Sequence, residues 1–296
     1  MPVATLPSGL EIEFREWELD DMWRWAKRAE DGGSEDDVLA EATVPTLVKV
    51  VDPGPYGFLK EGATAIDPQR LLKVDVRWWL YRARAASHPD DPARKLTGED
   101  YVFDWECQRD KKHAVEPRKV RLCDLRVKPL PASSLEHLKS GKSLTAKLPS
   151  GDVVSFVLPT VGIDKPMRRL MAERTKALRQ KQKGARPVQP TLPEAVACQI
   201  ERISSLGENQ SFERKAEYIG KLKLREWEVL KKALQEASPA VKQTVDCPCD
   251  ECGHVSEVSL PLTPGFFGPS STEEAMADEP KGEPKATETP VSTSTP

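Results

Sequence analysis

Leu6-Pro7-Ser8-Gly9-Leu10-Glu11-Ile12-Glu13-Phe14 sets a turn signal ahead of strict alternation, and Leu148-Pro149-Ser150-Gly151 repeats its first four residues. Pro and Gly punctuate a tight turn, and apolar–polar alternation has the period of a half-buried strand. The first stretch therefore predicts a short hairpin with Leu10, Ile12 and Phe14 on one side. The second is followed by a strand pattern that also carries an aromatic, Phe156 in the place of Phe14. After each strand the chain reaches an acidic residue and a helical pattern: Asp20 then Asp21 onward, Asp164 then Lys165 onward. Each half also ends in a cysteine segment, Cys107 in the first and Cys247 to Cys252 in the second. Four matching residues alone carry little weight; the shared order of turn, strand, helices and cysteine hairpin is what predicts two related halves. The expected fold is α+β, with halves at 1–130 and 131–269, each a small antiparallel strand module with packed helices. Residues 270–296, rich in Pro, Thr, Ser and Glu and without an aromatic, predict a disordered tail, because they cannot bury enough surface to offset chain entropy.

The cysteine segment of the second half is Cys247-Pro248-Cys249-Asp250-Glu251-Cys252-Gly253-His254, which gathers three of the six cysteines and one of the four histidines. Cys249 and Cys252, two residues apart and followed by Gly253, have the spacing of a metal-binding knuckle. There a tight turn lets two thiolates reach one Zn²⁺ while backbone amides support the sulfurs. The partial alternation of Val255 to Leu262 suits a strand leaving that knuckle. A tetrahedral site needs two further ligands, and Cys247, His254 and the distant Cys107 are the candidates. Reduced thiols without metal are the alternative; the clustering with Gly favours structural zinc in a C-terminal hairpin. In the first half, Cys107-Gln108-Arg109-Asp110-Lys111-Lys112-His113 lies between strand-like runs at Tyr101–Cys107 and Lys119–Val127, but Asp110 stands where a second cysteine is expected.

Composition narrows the function classes. A net charge of −3 over 296 residues argues against bulk attraction to nucleic acid or membrane. The N-terminus has no basic segment followed by an apolar core, so no secretory signal is expected, nor does any apolar run suggest a membrane span. Six unevenly spaced cysteines do not form a disulfide framework, which points to a reducing cytoplasm. Asp67-Pro68 opens a predicted helix through Leu71, Leu72, Val74, Val76, Trp78, Trp79, Leu80 and Tyr81, whose aromatics read as core and whose Arg77, Arg82 and Arg84 read as a solvated or partner-facing edge. Residues 165–186 carry nine Lys or Arg against Glu173 alone, with Met167, Leu170, Met171 and Leu178 as an apolar stripe. That basic helix is a candidate docking face for nucleic acid or an acidic partner, although a solvated face is the plainer reading. Further helices are predicted over Glu194–Leu206 and Phe212–Ala237.

Several chemistries are excluded. Ser140-Gly141-Lys142-Ser143 lacks the earlier glycine of a phosphate loop, since position 136 is Glu. The four histidines show no HExxH spacing and none lies in a recognisable nucleophile motif. No enzyme is expected. Two classes remain: an assembly or scaffold protein with a zinc-pinned strand module, and a zinc-ribbon nucleic-acid-binding protein using 165–186.

The two LPSG strands, the helix Leu71-Leu72-Lys73-Val74-Asp75-Val76-Arg77-Trp78-Trp79-Leu80-Tyr81-Arg82-Ala83-Arg84, the segment Leu158-Pro159-Thr160-Val161-Gly162-Ile163-Asp164, the closing Cys-Pro…Cys-Gly…Leu-Pro-Leu and Phe266-Phe267-Gly268-Pro269 together resemble one family. It is the baseplate protein family of T-even-type contractile-tailed bacteriophages, which includes baseplate hub-assembly proteins, and the resemblance spans roughly residues 3–269. It implies a non-catalytic protein or chaperone, made in the host cytoplasm, that helps form or occupy the tail baseplate through contacts with hub or tail proteins. It also implies Cys-x-x-Cys in both hairpins, a pattern that Cys249 and Cys252 meet and that Cys107 meets only by half.

Overall fold

A computed structural model describes residues 1–30, 35–88, 90–92, 95–182, 186–208, 210–260 and 266. Glycines 32 and 33, expected to end the first helix, the motif residues Phe267-Gly268-Pro269 and the tail 270–296 lie outside the described residues. The chain runs β1 (Val3–Thr5), β2 (Glu11–Phe14), α1 (Leu19–Glu30), α2 (Glu35–Thr43), β3 (Leu47–Asp52), α3 (Lys73–Ser87), β4 (Asp100–Trp105), β5 (Glu116–Arg121) and β6 (Val127–Lys128). It continues α4 (Ala132–Ser140), β7 (Leu144–Lys147), β8 (Val153–Phe156), α5 (Lys165–Lys181), α6 (Leu192–Ala197), β9 (Ile200–Ile203), α7 (Phe212–Gly220), α8 (Leu224–Ala237), β10 (Ala240–Val241), β11 (Thr244–Pro248) and β12 (Val255–Ser259). All strand pairings are antiparallel among the described residues, so the class is α+β. Met1–Leu260 forms one compact unit; of the other, Pro261–Pro296, only Phe266 is described.

Two three-stranded sheets anchor the chain, β1-β2-β3 and β7-β8-β9. The turns that open them share one hydrogen-bond pattern. Leu6 N–H donates to Leu10 O and Gly9 N–H to Leu6 O, while Leu148 N–H donates to Asp152 O and Gly151 N–H to Leu148 O. Gly9 and Gly151 take φ of 94° and 96°, a region L side chains rarely enter, which is why the motif ends in glycine. In both sheets the ladder slips at the aromatic: Glu13 opposes Lys49 but Phe14 opposes Leu47, and Ser155 opposes Arg202 but Phe156 opposes Ile200. Leu10, Ile12 and Phe14 are buried, on the face their alternation predicts.

The first turn is tied to α3 through a buried carboxylate. Asp75 accepts from Ser8 N–H (3.0 Å) and from the Tyr56 hydroxyl (2.5 Å), whose oxygen in turn accepts Leu72 N–H at 3.0 Å. The acidic start of α2 clamps two other helices. Lys73 bonds Asp36 and Asp164, Arg77 bonds Glu35, and Arg168 on α5 bonds Asp37.

Several expectations need correction. Asp67-Pro68 begins a 3₁₀ turn, not α3 itself. Leu71 and Leu72 are extended because Leu72 bridges Thr160 and Leu71 O accepts Val161 N–H. Arg84 is not an edge residue; it is buried over the Tyr101 ring, donates to Gly98 O and Asp100 O, and is lowered by burial to about 10. The predicted helix over Glu194–Leu206 is α6 followed by the strand β9, since Ile200 and Ile203 pair with β8. The predicted helix over Phe212–Ala237 is two helices parted at Lys221–Lys223.

Candidate metal centre

Two hairpins far apart in the sequence meet tip to tip. In β4–β5 the last pair is Trp105 opposite Glu116, and in β11–β12 it is Pro248 opposite Val255. Alternating exposed and half-buried residues on β5 and the exposed Asp246 and Pro248 of β11 show ribbons with one wet face. A lone two-stranded hairpin is marginal in water, so each needs something to hold it.

That something is a cluster of side chains at the tips. Cys107, His113, Cys249 and Cys252 place one ligand atom each within 4.8 Å of one another. Cys107 Sγ is 3.8 Å from Cys252 Sγ, and Cys249 Sγ is 3.4 Å from His113 Nδ1. A tetrahedral zinc with bonds of about 2.3 Å to sulfur and about 2.0 Å to nitrogen sets sulfur–sulfur edges near ~3.8 Å and sulfur–nitrogen edges near ~3.5 Å. A disulfide needs about 2.05 Å, and all six cysteines are free. The residues present therefore fit a metal ion and are compatible with zinc. Among the described residues this is the one group of three or more metal-ligating side chains.

The electrostatics point the same way. The Cys107 thiol is pulled down to about 6, chiefly by the Asp110 N–H aimed at its sulfur, then by the His113 ring and the Arg109 N–H. Burial pushes the Cys249 thiol up, as do the neighbouring Cys252 and Cys107 thiols, while the Cys252 and Glu251 N–H groups favour its thiolate. The His113 ring is raised, first by Cys107. Sulfur ligands gathered this closely are held together best by a cation among them, with the imidazole as a neutral ligand.

Polar bonds lock the two tips together. Glu251 accepts Ala114 N–H at 2.7 Å, and Glu116 accepts Asp250 N–H at 3.3 Å. Arg118 lies over the Trp105 ring and donates to Glu116, to Pro248 O and to Asp250. In the second hairpin the Gly253 N–H reaches Cys249 O and the Cys249 N–H reaches His254 O, with Gly253 at φ 67°.

Of the ligands read from sequence, the structure brings together Cys107, Cys249 and Cys252. Cys247 is buried on β11 opposite Ser256, one strand pair short of the tip, and stays outside the cluster. His254 is exposed and contributes only its backbone oxygen to the turn. His113 takes the fourth place and was not among the sequence candidates; a search allowing Cys-x5-His beside Cys-x2-Cys would have found it. On the basic helix α5, Arg168 and Arg174 are engaged with Asp37 and Glu194, whereas Lys165, Arg169 and Lys176 are exposed. Ser140-Gly141 is the end of α4, where Gly141 at φ 71° caps the helix. No described helix is long and apolar enough to cross a membrane. Comparison with protein families, curated proteins and solved structures gave no match.

Proposed function

We propose that Cys107, His113, Cys249 and Cys252 hold a structural zinc that pins the two hairpins, in a non-catalytic protein that assembles a phage tail baseplate hub through protein–protein contacts. The observation that carries the structural role is the size of the ligand set: four protein side chains lie within 4.8 Å of one another, enough to fill a tetrahedral shell with no position left for a substrate. When bound, the ion would neutralise the thiolates and join two hairpins that bury little by themselves.

The duplication read from sequence belongs to this proposal. Leu6 and Leu148, Phe14 and Phe156, and Cys107 and Cys249 are each 142 positions apart. The matched turns, the matched ladder slips and the order of elements support two related halves, each giving one hairpin to the metal centre. The baseplate assignment rests on the family resemblance, and it places the protein in the host cytoplasm during assembly or in the tail itself. Zinc near one equivalent per chain, co-purification with hub or tail components and loss of tail assembly on deletion are the expected results. A metal-free, well-folded protein at neutral pH would overturn the zinc, and assembly unaffected by deletion would overturn the role.

The exposed Lys165, Arg169 and Lys176 favour one other reading, nucleic-acid binding along α5. Salt-dependent DNA binding that vanishes when these cations are neutralised would select it.

A further inference from the structure

We infer that the C-terminal half of α5 and the chain segment beside it form a docking groove for an acidic peptide of a partner protein, one that carries apolar side chains between its carboxylates. The inference goes beyond the zinc and baseplate readings and needs neither. Its first ground is a helix that outruns its own packing. Met171 is buried, but from 172 to 180 every residue is exposed except Thr175. Arg174 pairs with Glu194, and the Thr175 hydroxyl accepts Val188 N–H at 2.9 Å. The second contact fixes the segment at Pro187 and Val188 alongside the helix, and the space between them is an open groove of about 660 Å³.

The groove has two kinds of lining. Met171, Ala172, Pro187 and Val188 offer carbon, whereas Lys176 and Arg179 contribute long apolar stems ending in charged heads. From Met171 to Gln180 it follows the helix for about 14 Å, at 1.5 Å per residue, which matches about four residues of extended chain. Glu173, the one acidic residue beside the nine Lys or Arg of 165–186, does not line it. Carboxylates of a bound peptide would therefore meet cations without a like charge opposite, while an apolar side chain between them would rest on carbon. A phosphate backbone would use the cations but not the carbon. Among the described residues no aromatic ring lines the groove for a base to stack on, so the lining favours a peptide over nucleic acid.

Fluorescence anisotropy with the full-length protein tests this with three labelled probes: a peptide of about six residues alternating Glu with Leu, the same peptide with Ser in place of Leu, and a short duplex DNA. The Glu-Leu peptide should bind roughly tenfold more tightly than its serine counterpart, because only it reaches the carbon lining. Lys176→Glu/Arg179→Glu should weaken its binding by roughly tenfold or more. Ala172→Trp, which fills the groove and leaves the charge unchanged, should weaken it by roughly fivefold or more. All three positions are exposed, so the variants keep the fold, which their thermal midpoints check. Equal binding of the two peptides, undiminished binding by either variant, or no measurable binding of the Glu-Leu peptide would each overturn the inference. Duplex DNA bound more tightly than that peptide, and lost on charge reversal but not in Ala172→Trp, would overturn it in favour of nucleic-acid binding along α5. None of these outcomes touches the metal, so the zinc reading stands or falls by itself.

Discussion

Asp75 shows what a single buried carboxylate does here. Burial raises it to about 6, against the opposing hydrogen bonds from Ser8 and Tyr56. Because its folded value lies above its unfolded value, the favourable contribution is fully present below about pH 4 and is lost as pH rises through about 6. On the order of 3 kcal/mol is at stake over that window. Urea unfolding of wild type and Asp75→Asn at pH 4.5 and pH 7 should show wild type gaining relative to the variant at the lower pH; an equal gap at both would reject this account. Tyr56→Phe removes the donor to Asp75 and the acceptor for Leu72 N–H, so about 2–4 kcal/mol should be lost at neutral pH. The glycines separate two costs. A Cβ on Gly151 meets nothing within 4 Å, so Gly151→Ala carries the left-handed strain alone, about 1 kcal/mol. A Cβ on Gly54 would lie 2.6 Å from Gly9 O, which cannot swing aside, so Gly54→Ala should cost clearly more in the same denaturation experiment.

At the scale of elements, what the sequence disclosed depended on range. The alternation of Leu10, Ile12 and Phe14 is local, and their burial follows it. The strand β9 was hidden because Ile200 and Ile203, three apart, satisfy a helical period as well; their pairing with β8, over 40 residues earlier in the chain, decides the matter. Leu71 and Leu72 look helical until Val161 and Thr160 pair with them. The candidate metal centre divides in the same way. Cys249 and Cys252 announce themselves by spacing, whereas His113 acquires its role only through Cys249, 136 residues away. The clasp between hairpins gives a test at this scale. Arg118→Ala frees Pro248 O and leaves Glu116 without its guanidinium, for an expected loss of about 1–3 kcal/mol. Arg118→Lys should recover less than half, since an ammonium cannot reproduce the guanidinium plane that lies over the Trp105 ring. Full recovery by lysine, read from denaturant midpoints, would reduce the clasp to simple charge.

For the whole molecule, the proposed ion would make the cluster a cross-link between distant parts of the chain. Stripping the ion with a chelator should loosen the hairpins 100–121 and 244–259 and expose their tips to protease at 106–115 and 249–254. The sheets β1-β2-β3 and β7-β8-β9, with buried cores of their own, should keep their slow-exchanging amides. Hydrogen exchange with and without chelator measures this, and uniform loss of protection would show that the ion supports the whole fold.

The 145 residues between Cys107 and Cys252 also set a schedule. At roughly 5–20 residues per second of synthesis, Cys107 and His113 are made about 7–30 seconds before Cys252. For that interval the first hairpin offers one thiol and one imidazole, half a coordination shell. Closure must wait for the second hairpin, so the proposed ion would be captured last and would mark a chain that has been read through to residue 252.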